Sequence, residues 1–286
     1  IFSPGFGRSG PRSHLPSFEP LNSAFVGIHY RSGGEGNPPV QSISLDAFCG
    51  LLATCGVMMA LIHRQKTGEG QYLDLSQLAA AMYYTSETYK TPDGKIGPLP
   101  SLDQGQMGLG PLNRLYKTND DWLCICCEKD DEWLALCTAL DLPDLSNDPR
   151  FDTETKRSSN RQQLESILEE RFLTKTSSNW FDRLDKSGAP CEIPVMNGEE
   201  RLLQTPAYVE SGLVVEHKHP IWSLMREIGT VIGFSETPGV VRGIAPRVGE
   251  HTKEILDELG YSNLDIDKLL DSGVVAAADK ITAAAD

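Results

Sequence analysis

The sequence has little positive charge for its size. Its 286 residues include 26 Lys and Arg against 40 Asp and Glu, for a formal net charge of −14. A protein that binds a phosphate backbone usually presents a basic face, so this balance argues against nucleic acid as a partner. Hydrophobic residues make up 40% of the chain and charged residues 23%, the composition of a globular protein with one large domain or two ordinary ones.

Long hydrophobic runs are also absent. The longest uncharged stretch, Ala47 to Ile62, is shorter than the roughly 18 residues of a membrane span, and we interpret it as a core helix. We therefore expect no membrane partner and a cytoplasmic location. The chain begins at Ile1, on what reads as the end of a strand, which indicates that an N-terminal part is missing.

The seven cysteines do not form an obvious metal or disulfide framework. Most lie in apolar runs, as reduced and buried thiols do. Cys124, Cys126 and Cys127 are close in sequence, but alternate strand residues face opposite sides, no second Cys-x-x-Cys follows, and no nearby His completes a zinc set. The sequence predicts no metal site.

Several common catalytic motifs are missing. The chain has no Walker loop, no His-Glu-x-x-His and no Gly-x-Ser-x-Gly, and Gly5-Phe6-Gly7 lacks the rest of a dinucleotide fingerprint. The six histidines form no motif. His217 and His219 precede Pro220, and we interpret them as an exposed strand end.

Helical and strand patterns alternate along the chain, which predicts an α/β protein. Residues 91–111 are rich in Gly and Pro and indicate a linker with a mobile glycine-rich loop. Helices are expected at residues 45–65, 77–89, 132–140, 159–173, 179–186, 250–259 and 264–272, and strands at residues 71–75, 112–118, 122–127, 213–216 and 228–234.

Asp46 is the only acidic residue between Gly36 and Gln65, and it lies where a loop becomes an apolar helix. Asp at a helix start is usually a cap that accepts backbone N–H groups. Alternatively, Asp46 is a nucleophile that attacks an acyl centre and forms an anhydride. The residues alone leave both interpretations open.

The run from Gly105 to Gly110 contains Gly105, Gly108 and Gly110. Three glycines in six residues let a backbone approach a ligand closely and let a loop open and close. The same composition also suits a simple flexible connector.

Taken in order, several short motifs resemble the family III CoA-transferases, the group of formyl-CoA transferase and carnitine CoA-transferases, over nearly the whole chain. The matching segments are Gly5-Phe6-Gly7 with Ser9-Gly10-Pro11, Asp46 with Gly50, Thr67-Gly68-x-Gly70-Gln71, Asp74-x-Ser76, Gly188-Ala189-Pro190-Cys191, Ser235-x-Thr237-Pro238-Gly239, and Ala245-Pro246-Arg247-x-Gly249-Glu250-His251-Thr252.

The resemblance implies a Rossmann-like large domain and a smaller α+β domain, joined by long linkers, in an interlocked homodimer. It implies a large-domain part at residues 1–90, a linker at 91–111, the small domain at 112–197, and a return to the large domain at 198–286. The family's N-terminal segment, which supplies much of the CoA pocket, is absent from this sequence.

The resemblance also implies a site. Asp46 falls on the family's catalytic aspartate, which carries an aspartyl-CoA thioester, and the loop with Gly105, Gly108 and Gly110 covers the intermediates. Phe6 takes an aromatic substrate position where formyl-CoA transferase-like members have Tyr, and Pro4 replaces a Lys of some transferases. Coenzyme A is a substrate, and no separate cofactor is implied.

Two alternatives remain at this stage. The first is an acyl-CoA racemase, since α-methylacyl-CoA racemases resemble this family. Their proton-relaying His lies in a stretch that aligns with Ser17-Phe18-Glu19, and Phe18 cannot relay a proton. The second is a non-catalytic, truncated chain.

Overall fold

The computed structural model describes residues 1–41, 45–97, 100–219 and 222–278. Its backbone contacts divide the chain into two compact units, Ile1–Pro194 and Val195–Asp286. Each unit is considered by itself. The domain boundaries predicted from the sequence remain predictions.

The first unit begins with four helices: α1 (Glu19–Phe25), α2 (Ile28–Gly33), α3 (Leu45–Thr67) and α4 (Gln77–Tyr84). The predicted start of α4 is confirmed, because the Ser76 hydroxyl accepts a hydrogen bond from the Ala79 N–H at 3.0 Å. Sequence patterns did not indicate α1 and α2. The strand expected at residues 71–75 is reduced to a single parallel bridge between Phe2 and Asp74.

Helix α3 matches the predicted position but not the predicted burial. Among its 23 residues, only Leu45 and Cys49 are buried. By length and composition alone it could cross a membrane, a test that core helices also pass. Within this chain α3 is not buried as a core helix, because the described elements cover only one narrow side of it; its burial in the complete dimer stays a prediction.

The first unit also contains a four-stranded antiparallel sheet, in the order β1 (Gly108–Gly110), β2 (Asn113–Lys117), β3 (Trp122–Cys126) and β4 (Cys191–Glu192). Strands β2 and β3 confirm two of the predicted strands. Part of the expected glycine loop is instead strand β1. A Cβ atom on Gly108 would lie 2.2 Å from the Asn113 carbonyl oxygen, so only glycine permits this pairing.

Helices α5 (Asp130–Ala139), α6 (Glu154–Ser159), α7 (Arg161–Phe172) and α8 (Ser177–Ser187) follow, with a short 3-10 helix at Pro143–Asn147. The apolar faces of α5, α7 and α8 pack with β2 and β3 to form the small core, which we define by its fully buried members Tyr116, Leu123, Ile125, Leu136, Leu140, Phe151, Leu164, Leu168, Phe172, Trp180 and Leu184. Leu123 and Ile125 alternate along β3, as strand geometry requires for one buried face.

The second unit contains helices α9 (Gly198–Gln204), α10 (Pro206–Glu210), α11 (Thr252–Glu258) and α12 (Asn263–Asp271), and a hairpin of β5 (Val214–His219) and β6 (Ser223–Ile228). Strand β6 lies earlier than expected: it pairs with β5 from Ser223, opposite His219, to Ile228, opposite Val214. His217 is not an exposed strand end: it is largely buried, and its ring lies 3.1 Å from Glu227 across the hairpin.

The mixture of helices and sheets agrees with the α/β class. Both sheets are antiparallel, and the described ranges contain one parallel bridge but no parallel sheet. The Rossmann-like sheet, the linkers and the interlocked dimer therefore remain expectations.

Candidate active site

Asp46 is exposed and lies in the first turn of α3. Its Oδ1 atom accepts a hydrogen bond from the Gln77 side-chain amide, Nε2. The amide of the preceding Leu45 donates instead to the buried Glu19 carboxylate, at 3.4 Å. Among the described residues, Asp46 thus bonds to a side chain and not to the backbone of α3, so the geometry gives no support to a capping role.

Two further side chains fix the Gln77 amide. Asn22 Nδ2 donates to Gln77 Oε1 at 2.7 Å, and the Ser17 hydroxyl donates to the same oxygen at 3.3 Å. Asn22 Nδ2 also donates to Ser17 Oγ at 2.6 Å, and Asn22 is fully buried. We call Ser17, Asn22 and Gln77 the amide relay. Because Oε1 faces two donors, Nε2 must face Asp46.

The N-terminal loop positions this relay. The carbonyl oxygens of Pro4 and Gly5 accept hydrogen bonds from the backbone N–H groups of Gln77 and Leu78, at 3.0 and 2.9 Å. A Cβ atom on Gly5 would lie 1.9 Å from Cβ of Ser17, so a side chain there would displace the serine. The Gly-aromatic-Gly segment therefore holds the start of α4 and Ser17 together.

Phe6, a predicted substrate residue, is buried in this chain. Its ring packs edge to face on Phe25 with centroids 6.4 Å apart, and the Arg12 guanidinium lies 4.2 Å over the Phe25 ring. Phe6 thus packs against α1, next to the N-terminal loop that holds the start of α4.

The glycine loop is anchored at both ends. Gln106, in a left-handed conformation with φ of 59°, donates from Nε2 to the Gly33 carbonyl at 2.9 Å. Asn37 Nδ2 donates to the Gln104 carbonyl at 2.7 Å, and the Met107 N–H donates to Asp103 Oδ1 at 2.9 Å. Gly105 and Gly110 flank these contacts, and Gly108 is buried in β1.

A charged cluster lies at the base of this loop. Arg114, 8% exposed, is 2.9 Å from Glu165, 3.4 Å from Glu169 and 3.6 Å from Asp103. Arg161 is 2.8 Å from Glu165 and 3.4 Å from Asp103. The cluster connects the loop base to β2 and α7.

The two predicted parts of the site are Asp46 and the glycine loop. In the ranges that the structure describes, no hydrogen bond or ion pair joins Asp46 to the segment Gly105–Gly110. Sequence reasoning missed the amide relay. The available signal was that a polar residue, Gln77, directly follows the Ser76 cap. The contact from Gln77 to Asp46 spans 31 positions, however, and leaves no local sequence pattern.

Among the described residues, no group of three or more His, Cys, Asp or Glu side chains could hold a metal ion. Burial raises the pKa of the Cys127 and Cys137 thiols to about 12 and that of Cys191 to about 11. These three thiols stay protonated near neutral pH, so they are poor nucleophiles.

Comparison with known proteins places the chain in a family. The model of CoA-transferase family III matches residues 3–252. The chain therefore belongs to the family III CoA-transferases, as the motifs predicted.

Individual relatives are more distant. Human succinyl-CoA:glutarate CoA-transferase is 29% identical over 95% of this chain and 62% of its own length. Acetyl-CoA:oxalate CoA-transferase of Acetobacter aceti is 31% identical over 77% of this chain and 58% of its own. Human alpha-methylacyl-CoA racemase is 26% identical over 96% of this chain and 72% of its own. The chain spans about three fifths of the length of the first two relatives.

Solved structures show the same fold. A CAIB/BAIF family protein from Brucella suis superposes with a TM-score of 0.67 at 25% identity, over 90% of this chain and 66% of that one. A crystal structure of an M. tuberculosis protein gives a TM-score of 0.71 at 21% identity, over 87% of this chain and 66% of that one.

Proposed function

We propose that the whole protein transfers coenzyme A from an acyl-CoA donor to a carboxylic acid acceptor, with Asp46 as the nucleophile. Family membership and the names of the relatives support CoA transfer in general. The observation that carries the residue assignment is the placement of Asp46: its side chain is exposed at the first turn of α3, and its Oδ1 accepts a hydrogen bond from Gln77.

The chemistry follows from a carboxylate nucleophile. Asp46 Oδ2 bonds to the thioester carbon of the donor, the carbon–sulfur bond breaks, and CoA leaves as a thiolate, which gives a mixed anhydride of Asp46 and the donor acid. The thiolate then attacks Cγ of Asp46 and expels the donor acid as its carboxylate, which leaves an aspartyl-CoA thioester. The acceptor carboxylate attacks the same Cγ and expels the thiolate. Finally, the thiolate attacks the acceptor's acyl carbon, which forms the new acyl-CoA and frees Asp46.

The local charge suits an ionised nucleophile. The positive end of the α3 dipole favours negative charge in the first turn, where Asp46 lies. The anhydride and the thioester are open to hydrolysis, so the cycle needs water excluded. We assign that task to the loop with Gly105, Gly108 and Gly110, which closes over the intermediates in the assembled enzyme.

Racemase activity is the second candidate, supported by the likeness to the human racemase. Phe18 argues against it. Its ring is 75% exposed and has no titratable group, so it offers no proton relay at the position that aligns with the racemase His.

We further propose that the protein is a cytoplasmic homodimer, that its substrates are an acyl-CoA and a carboxylic acid, and that it uses no separate cofactor.

The test uses the full-length protein with succinyl-CoA or acetyl-CoA as donor and glutarate or oxalate as acceptor. Trypsin cuts after Arg31 and Arg64, so the peptide of residues 32–64 contains Asp46 with Glu35 as its only other acid. A CoA adduct on Asp46 that resists a phosphine reductant is expected. Phosphine removes disulfide-linked CoA from Cys49 and Cys55. An adduct confined to those thiols, or loss of the substrate's α-hydrogen without transfer, would refute the proposal.

A further inference from the structure

Among the described residues, the carboxylate of Asp46 accepts a hydrogen bond from one side-chain donor, the Gln77 amide. In the proposed mechanism Oδ2 attacks the donor, and Gln77 Nε2 bonds to the other oxygen, Oδ1. After Oδ2 has left with the donor acid, Oδ1 is the carbonyl oxygen of the aspartyl-CoA thioester. The Gln77 amide then lies at the oxygen on which negative charge develops when Cγ is attacked.

We propose that Gln77 is a catalytic residue, an oxyanion donor for the two steps in which a nucleophile attacks Cγ of Asp46. This inference rests on the proposed function. In both steps a tetrahedral centre forms at Cγ, with its charge on Oδ1, and an N–H already aimed at that oxygen stabilises the charge without reorganisation. In the other two steps the tetrahedral centre is on the substrate's acyl carbon, where Gln77 has no direct part.

The amide relay makes the donor preorganised. A free glutamine amide can rotate by half a turn and exchange its donor and acceptor ends. Here Oε1 accepts from Asn22 at 2.7 Å and from Ser17 at 3.3 Å, so the turned amide would place its N–H groups against two donors. Asn22 is fully buried, which holds it in place. Ser17 and Asn22 are positioning residues that act through Gln77.

The experiment separates the Cγ steps from the rest. The aspartyl-CoA thioester is formed on the full-length protein with succinyl-CoA, freed of excess donor, and mixed rapidly with glutarate. Intact-protein mass spectrometry follows the loss of the adduct. Gln77→Met keeps the size and removes the donor, and we expect its discharge rate to fall by about 10²- to 10³-fold. The glutarate concentration for half-maximal rate should change by less than about threefold, since Gln77 acts on the transition state.

The matched control is Gln65→Met. Gln65 is exposed on the far end of α3 and outside the relay, so its discharge rate should equal that of the wild type. Thermal unfolding of the two Met variants then separates lost stability from lost chemistry.

Gln77→Glu supplies a readout that a structural role would not give. A Glu carboxyl donates a hydrogen bond to Oδ1 only when protonated, and Asp46 carries no charge while it is acylated. Above the pKa of Glu, about 4.3 in model peptides, the discharge rate of this variant should rise as pH falls, by up to about tenfold per pH unit. The wild-type discharge rate should stay nearly flat over the same range.

Asn22→Asp tests the relay. The substitution replaces the Asn22 donor to Gln77 Oε1 with an acceptor. The Gln77 amide should therefore rotate by half a turn and present Oε1, instead of Nε2, to Asp46. Its discharge rate should fall as in Gln77→Met, and the double variant should be no slower than either.

The outcomes are distinguishable. If the wild type forms no adduct at Asp46, both the proposed function and the role of Gln77 are refuted. If the adduct forms and Gln77→Met discharges it within about threefold of the wild-type rate, or if Gln77→Glu has the wild-type pH profile, the role of Gln77 alone is refuted.

Discussion

Helix α3 and the small core are both rich in apolar side chains, yet they are buried to opposite degrees. In the small core, Leu123, Leu136 and Trp180 are fully buried. On α3, Leu51 is 63% exposed and Met59 is 69% exposed. The small core is closed by elements between residues 113 and 189, whereas α3 packs mainly on α4, through Phe48 stacked on Tyr83 at 5.9 Å.

This difference in burial predicts that the stability of the fold and the catalytic activity depend on different residues. The small core contains the interlocked aromatic rings of Tyr116, Phe172 and Trp180 and supplies most of the packing. Asp46 is instead exposed at the start of the sparsely covered α3, so few apolar contacts depend on its side chain. Substitutions in the two regions should therefore separate loss of folding from loss of activity.

The largest effect is expected at Asp46. Asp46→Asn keeps the size and removes the nucleophile, so the transfer rate of the full-length protein should fall by several powers of ten, roughly the scale of deleting a covalent nucleophile. The unfolding free energy should change little, because Asp46 is exposed. Glu69→Gln, at an exposed turn, is the control. Substantial transfer by Asp46→Asn would show that the chemistry lies elsewhere.

The largest loss of stability is expected in the small core. Trp180 is fully buried and donates from Nε1 to the Phe172 carbonyl at 2.8 Å. Trp180→Ala should lower the unfolding free energy by about 3–5 kcal/mol, as measured by denaturant titration. The matched control is Trp222→Ala, since Trp222 is 67% exposed and its ring stacks on the His219 ring. Equal losses for both variants would mean that the small core does not dominate the stability.

The rates of thiol labelling compare the solvent exposure of α3 directly with that of the small core. Cys55 of α3 is exposed, whereas Cys137 is buried and its raised pKa, about 12, leaves roughly 10⁻⁴ of it as thiolate at pH 8. In the 286-residue chain, an alkylating reagent should label Cys55 at least about 100-fold faster than Cys137. Denaturant should make the rates similar. Slow labelling of Cys55 in the full-length protein alone would show that further residues cover α3.

Local patterns predicted the small core well and the site only in part. Strands β2 and β3 and helices α5, α7 and α8 were predicted to within a few residues, because alternation and helical periodicity reflect one buried face. Burial of α3 could not be read from its run of apolar residues, which describes the helix but not its neighbours. Asp46 was found through its position and the family motif. The relay was missed because the contacts from Gln77 to Ser17 and to Asn22 span 60 and 55 positions.

The smallest effect is expected at the charged cluster that joins the glycine loop to the small core. Asp103 accepts from the Met107 N–H and pairs with Arg114 and Arg161. Asp103→Asn removes one charge, but Arg114 keeps Glu165 at 2.9 Å, so the loss should be about 1 kcal/mol and not the 3–5 kcal/mol of breaking a buried pair outright. Hydrogen exchange should become faster at residues 104–107 and stay unchanged in β3. Asp93→Asn, at an exposed turn, should alter neither segment. Unchanged exchange at the loop in Asp103→Asn would mean that Gln106 and Asn37 hold it without the cluster.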